Sequence, residues 1–298
     1  MLRHRVALGA GRALGIIAHA VAGSRRAVVR RNIELCFPEL SAGQRDALAR
    51  EHFKALGMAM IEMGLGRWAS DEHLASITRL VGVEHVQEAL DAGRGVILLS
   101  AHFTTLEIMG RVLAKEIPPF DAVFRKNRSE FMTELQRSGR EVSADTTIEK
   151  RDIKKMVRSL RQGRAVWYAP DQSYSRKGAE VIEFFGVPSM HTTATSTLAR
   201  LGEAVTIPFF PLRKPDGTYE MTLLPPFDDF PGGDPVADTK RYIALLEEHD
   251  QRALGGDAGR FGILHDELVD ALDQRMLQPL VDLEIAPGEI GLVLLAPG

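Results

Sequence analysis

The sequence predicts an α/β fold: a mixed, largely parallel sheet flanked by helices, with a helical N-terminal part. Three observations carry that expectation. Val96-Ile-Leu-Leu-Ser100 and Ala165-Val-Trp-Tyr-Ala169 are short, uninterrupted apolar runs bounded by turn residues, the pattern of strands buried on both faces. Segments of helical spacing alternate with them, as βαβ connections require. Ala204–Phe210 and Tyr219–Leu224 flank Pro215-Asp-Gly-Thr218, a hairpin turn signal that adds an antiparallel strand.

Each element follows in order. Ser41-Ala-Gly-Gln44 is a helix-start signal, and Leu48, Phe53, Leu56, Met60, Ile61 and Leu65 continue it near helical spacing over 41–66. A second helix, 83–92, leads through Gly93-Arg94-Gly95 into the first buried strand. Ala122–Arg125 reads as a strand, 128–140 and 152–162 as helices, Ala165–Ala169 as the second buried strand, and 193–201 as a helix. No tandem repeat or low-complexity linker divides the chain, so one α/β domain over 32–249 is expected. A basic, apolar arm (1–31) precedes it and a Gly-rich, atypical tail (250–298) follows, with an amphipathic helix near 264–278.

Composition narrows the function. With 45% hydrophobic and 26% charged residues and a net charge of −3, the chain is neither disordered nor suited by overall charge to nucleic acid. Its one cysteine, Cys36, excludes an internal disulfide and a cysteine-built zinc site and suits a reducing compartment. Charge is uneven, however: Arg3, Arg5, Arg12, Arg25, Arg26, Arg30 and Arg31 fall in the first 31 residues with no acid among them. The apolar run between them, Val6 to Ala22, is interrupted by Arg12 and His19 and is marginal against the roughly 20 apolar residues of a transmembrane helix. It also imitates a signal peptide, but the basic stretch continuing to Arg31 favours an anchor on a membrane surface over an arm packed on the domain.

The candidate chemistry lies in Ala101-His102-Phe103-Thr104-Thr105-Leu106-Glu107, directly after the first buried strand, where α/β sheets place their ligand crevices. A separation of five is poor for two residues on one helix face. With His102 in the strand-to-helix turn and Glu107 in the first helical turns, both reach one pocket. A histidine exchanges its proton near neutral pH, and a carboxylate fixes its tautomer and stabilises its cation. The sequence has no Gly-x-Ser-x-Gly elbow, which favours direct transfer without an acyl-enzyme, and no second histidine at a metal-ligand spacing, which disfavours a metal hydrolase. Asp171 and Gln172 follow the second buried strand and belong on the same sheet edge as His102 if the strands are parallel. Arg125, Asn127 and Arg140 carry multidentate donors suited to phosphate or carbonyl oxygens, or to ion pairs. Thr192 and Thr193 read as helix caps, Phe184-Phe185-Gly186 as a packing and turn element, and His191 as incidental.

Arg125-Lys126-Asn127, Ala169-Pro170-Asp171-Gln172 and Glu183-Phe-Phe-Gly-Val-Pro188, in that order behind His102, together with Arg31-Asn-Ile-Glu-Leu-Cys-Phe-Pro38, resemble the late acyltransferases of lipid A biosynthesis, the lauroyl and myristoyl transferase family. The resemblance runs from about Arg12 to about His249. It implies a fold like that of the glycerolipid acyltransferases and the cytoplasmic face of the inner membrane. It further implies an acyl carrier protein thioester as donor, a lipid A precursor hydroxyl as acceptor, and no cofactor or metal. His102 would be the general base with Glu107 orienting it, and Arg125, Asn127, Arg140, Asp171 and Gln172 would contact substrate. The family's usual ending, Pro-Glu-Gln-Tyr and then Trp-x-His-Arg-Arg-Phe-Lys, is replaced here by Asp250-Gln-Arg-Ala-Leu-Gly-Gly256 and the residues beyond it. Two other readings stay open: an acyl-CoA-dependent mannoside or glycerolipid acyltransferase, and a catalytically silent lipid-binding relative.

Overall fold

A computed structural model describes residues 2–124, 143–171 and 178–255. Helices α1 (Leu2–Val21), α2 (Gly23–Cys36), α3 (Ala42–Trp68) and α4 (Asp71–Ile77) precede the sheet. Then come β1 (Thr78–Val81), α5 (Val83–Asp91), β2 (Val96–Leu99), α6 (Leu106–Glu116), β3 (Asp121–Phe124), β4 (Thr146–Glu149), α7 (Ile153–Arg161) and β5 (Ala165–Tyr168). The hairpin β6 (Ala179–Phe184) and β7 (Val187–Thr192), α8 (Ala194–Gly202), β8 (Val205–Arg213), β9 (Tyr219–Leu223) and α9 (Pro235–Gly255) complete the described residues.

The main sheet has the order β1-β9-β8-β2-β5-β3-β4. Every pairing in it is parallel except β8 with β9, as expected of a largely parallel sheet with one hairpin. β2 sits between β8 and β5, and all four of its residues are buried. Alternate side chains divide between two cores: Val96 and Leu98 face the one containing Ile108, Met109 and Phe209, while Ile97 and Leu99 face the one containing Leu160, Leu198 and Leu246. That two-sided burial is why the strand reads as a continuous apolar run.

The long helix α3 begins as its sequence requires. Ser41 Oγ accepts from the Gln44 amide, and Ser41 N donates to Gln44 Oε1 at 2.8 Å, forming a capping box. α1 crosses α3 at close range because Gly11, Gly15 and Gly57 carry no side chain there. A Cβ on Gly15 would strike the Phe53 carbonyl oxygen, and one on Gly57 would strike that of Gly11. His4 and Leu8, also buried, extend the same face of α1. Its other side exposes Val6, Leu14, Ile17 and Val21. No single helix among the described residues is long and apolar enough to cross a membrane; α1 and α2 together meet the length and composition but bend by 96°.

β1, β4 and the β6–β7 hairpin were not expected as strands. In the hairpin, Phe185 and Gly186 form the two-residue turn with φ of 49° and 70°, so the expected packing and turn element is the tip of an antiparallel pair. The helices expected over 128–140 and 264–278 lie outside the described residues.

Candidate active site

Parallel pairing sets the site. Leu99 of β2 is in register with Tyr168 of β5, so His102 and Asp171, each three residues farther on, emerge side by side at the carboxyl ends of the two strands. Asp171 is completely buried and grips His102 twice: Oδ2 accepts the His102 backbone N–H at 2.8 Å, and Oδ1 lies 2.6 Å from ring Nδ1. A carboxylate only accepts, so Nδ1 carries the proton and Nε2 is left as the proton-accepting nitrogen. The imidazole side chain is 30% exposed, open enough to meet a substrate.

The turn that carries His102 is closed by local bonds, Phe103 N to Ala101 O and Leu106 N to Phe103 O, before α6 begins at Leu106. Below it, Ser100 Oγ donates to Phe209 O and Tyr242 Oη of α9 donates to Ser100 O, both at 2.8 Å. His249, also on α9, stacks on Phe210 and meets Phe103 edge-on. On the β8 side, Arg213 forms a two-pronged ion pair with Glu62 of α3, at 2.6 and 2.7 Å, and Tyr219 Oη donates to the same carboxylate. Burial is the largest single influence on the Arg213 pKa and lowers it; the charge and hydrogen bonds of Glu62, together with Tyr219, outweigh it and leave the pKa raised. Arg213 Nη2 also donates to Thr104 Oγ1 at 3.1 Å.

Glu107 sits half-buried in the first turn of α6, its backbone so close to Gly66 that a Cβ there would press on it at 3.0 Å. The sequence reading gave Glu107 the task of fixing the imidazole tautomer and placed Asp171 among substrate contacts. At Nδ1 that task falls to Asp171, because strand register, not proximity along the chain, decides which carboxylate meets the ring. Arg125, Asn127, Arg140 and Gln172 lie outside the described residues. His191, which the sequence marks as incidental, is buried with Nε2 2.6 Å from Ser189 Oγ, and burial pushes its pKa down to about 4, against an opposing pull from the nearby Asp171 charge. Of the two threonines expected as caps, Thr192 Oγ1 accepts the Ala194 amide, while Thr193 donates to Gly178 O.

Sequence reasoning missed Glu62, Thr104, Arg213, Tyr242 and His249. Only Glu62 left a signal, an acid four residues from both Met58 and Gly66 on the buried side of α3. No group of three or more His, Cys, Asp or Glu side chains suited to a metal ion occurs among the described residues.

A parallel sheet whose central strands deliver a half-open histidine, its tautomer fixed by a buried carboxylate, is an α/β fold carrying a side chain chemically able to accept a proton. The description "Bacterial lipid A biosynthesis acyltransferase" belongs to the family model that matches residues 1–251. The chain is 36% identical over 221 residues to the lipid A biosynthesis lauroyltransferase of Escherichia coli (strain K12), covering 74% of this chain and 71% of that one. It is 33% identical over 223 residues to the palmitoleoyltransferase of the same strain, at 74% and 72% coverage. A lipid A biosynthesis acyltransferase of Haemophilus influenzae (strain ATCC 51907 / DSM 11121 / KW20 / Rd) is 33% identical over 237 residues, at 78% and 75%. The chain belongs to the bacterial lipid A biosynthesis acyltransferase family and is an acyltransferase of the late type.

Proposed function

We propose that this enzyme moves a fatty acyl chain from an acyl carrier protein thioester to a hydroxyl of a lipid A precursor, in one direct step. The observation that carries the mechanism is the double grip of Asp171 on His102, which leaves Nε2 ready to take a proton. His102 Nε2 accepts the acceptor hydroxyl's proton as its oxygen attacks the thioester carbonyl. The C–S bond then breaks, and the imidazolium returns the proton to the departing thiolate. Asp171 holds the ring throughout, and Glu107, from the first turn of α6, supports the imidazolium charge. Arg125, Asn127, Arg140 and Gln172 contact the anionic or carbonyl oxygens of the two substrates.

An acyl-enzyme on the only thiol is disfavoured, since Cys36 is buried and its pKa is pushed up to about 12, chiefly by burial. Work at the cytoplasmic face of the inner membrane is supported by α1, whose exposed apolar side lies opposite its contact with α3 and is flanked by exposed Arg5 and Arg12.

The test is mass analysis of a lipid A precursor incubated with acyl carrier protein thioester or with acyl-CoA. The full chain is compared with His102→Ala, Asp171→Ala and Glu107→Ala. Acylation from the carrier protein thioester, lost in the first two variants and reduced in the third, is expected. Undiminished acylation by His102→Ala would overturn the mechanism, and a preference for acyl-CoA would overturn the donor.

A further inference from the structure

We propose that Arg213 is a positioning residue for acyl transfer: seated on Glu62, it holds the Thr104 hydroxyl and so sets the turn that presents His102 and Glu107. This role rests on the reading of His102 as the base.

The sheet order places β2 between β5 and β8. Asp171 anchors the catalytic turn from the β5 side, at His102. Arg213 anchors it from the β8 side, two residues later, at Thr104. Register matches the second anchor as it does the first: Leu99 pairs with Pro208, and Thr104 and Arg213 each lie five residues beyond. The turn is thus pinned from both neighbouring strands.

Stability gives no reason for such an arrangement. Arg213 is 5% exposed and Glu62 fully buried, and a buried ion pair is commonly replaceable by apolar side chains without loss of stability. What apolar side chains cannot supply is a rigid donor aimed at Thr104. The planar guanidinium spends Nε and Nη2 on the two oxygens of Glu62, and Nη2 reaches Thr104 from that fixed seat. Tyr219 Oη, 2.8 Å from Glu62 Oε1, steadies the seat. A displacement of the order of 1 Å at a reacting group costs roughly a hundredfold in rate, so a turn pinned at only one end is expected to lose kcat without losing substrate.

The test compares the full chain with Thr104→Val, Thr104→Ser and the triple variant Glu62→Met, Arg213→Leu, Tyr219→Phe, which removes the buried charges together. In a steady-state assay with lipid A precursor and acyl carrier protein thioester, Thr104→Val and the triple variant should lose about 10- to 100-fold in kcat. KM for both substrates should stay within about twofold, and Thr104→Ser should recover most of the rate. Adding Thr104→Val to the triple variant should cost little more, because the bond from Arg213 to Thr104 is already gone. The midpoint of the acid limb of the pH–rate profile should not move, since the anchor acts on position and not on the base's proton affinity. A wild-type kcat in folded Thr104→Val overturns the proposal whether or not the triple variant folds, as does a loss carried by KM alone. Loss of activity in His102→Ala alongside normal Thr104→Val would sink only the positioning role. Normal activity in His102→Ala would sink the reading of the site itself.

Discussion

Two carboxylate clusters stand at opposite ends of neighbouring strands, and only one of them is left open. At the amino end of β3, Asp121 accepts from Ser159 Oγ at 2.5 Å and from Arg164 Nη2 at 2.9 Å, and Arg164 reaches on to Asp145 at 2.7 Å. The hydrogen bond that Arg164 donates to Asp121 is the main reason its pKa is raised. At the carboxyl end of β5, Asp171 is equally buried but holds a histidine whose side chain is 30% exposed. The first cluster closes on itself and ties α7 and the α7–β5 turn to the sheet. The second ends on a lone pair. Similar chemistry serves packing at one end and the proposed proton transfer at the other because the carboxyl ends of parallel strands open into a crevice.

The largest effect that separates the two is Asp171→Asn. The amide replaces an acceptor with an N–H group facing either the His102 backbone amide or Nδ1–H, so ring orientation and tautomer are both disturbed. A fall in kcat of roughly 10²- to 10⁴-fold is expected, far beyond what the stability loss of about 1–3 kcal/mol from the mispaired buried amide, read by urea denaturation, accounts for. A variant with near-normal kcat would erase the distinction between the clusters. Asp121→Ala should do the reverse. It leaves Arg164 with only Asp145, at a cost of about 2–3 kcal/mol, below the 3–5 kcal/mol of a fully buried pair because the Arg164 side chain is 29% exposed. Urea denaturation reads that loss, and kcat per folded molecule should stay near wild type.

The difference between the clusters also marks how far the sequence could be read. β2 and β5 announce themselves because both faces are buried, and the chain position of His102 and Asp171 just past them predicts a shared edge, which the register then delivers. Which acid meets the imidazole is not legible, because Glu107 is near His102 along the chain whereas Asp171 is near it across the sheet. The Glu62–Arg213 pair joins residues 151 apart, a contact that no local pattern encodes. β1 and β4 went unread as strands since each has four residues with little burial alternation. The Arg125, Asn127 and Arg140 readings rest on resemblance and chemistry alone.

A third prediction contrasts histidines instead of carboxylates. His52 on α3 is buried, touches Phe53 edge-on, and has its pKa pushed from 6.5 down to about 4 by burial. The sign follows from the depressed folded value. Above pH 6.5 neither state binds the proton. As pH falls from there toward 4 the unfolded chain takes it up first, so stability is lost across that window, by about 2 kcal/mol at pH 5. Chemical denaturation at pH 7 and pH 5 measures the drop, and His52→Leu should flatten it by that amount. An unchanged slope in the variant would assign the acid sensitivity to other groups. His191, also shifted down to about 4, would then be the next to replace.

The smallest expected effect supplies the baseline for all the others. Ser41 caps α3 far along the helix from Glu62 and Gly66, the residues through which α3 meets Arg213 and Glu107. Ser41→Ala removes the Oγ that accepts the Gln44 amide and should cost about 1 kcal/mol in thermal or urea unfolding. Because the far end of α3 stays pinned by the Arg213 ion pair and by the Arg111 bond to Gly66 O, fraying at the cap should not reach the turn that carries His102. Its kcat should therefore match wild type at temperatures well below the melting transition. If a loss of that size in α3 stability did lower kcat, then part of any fall seen with Asp171→Asn would have to be charged to stability, and the contrast between an open and a closed carboxylate cluster would weaken accordingly.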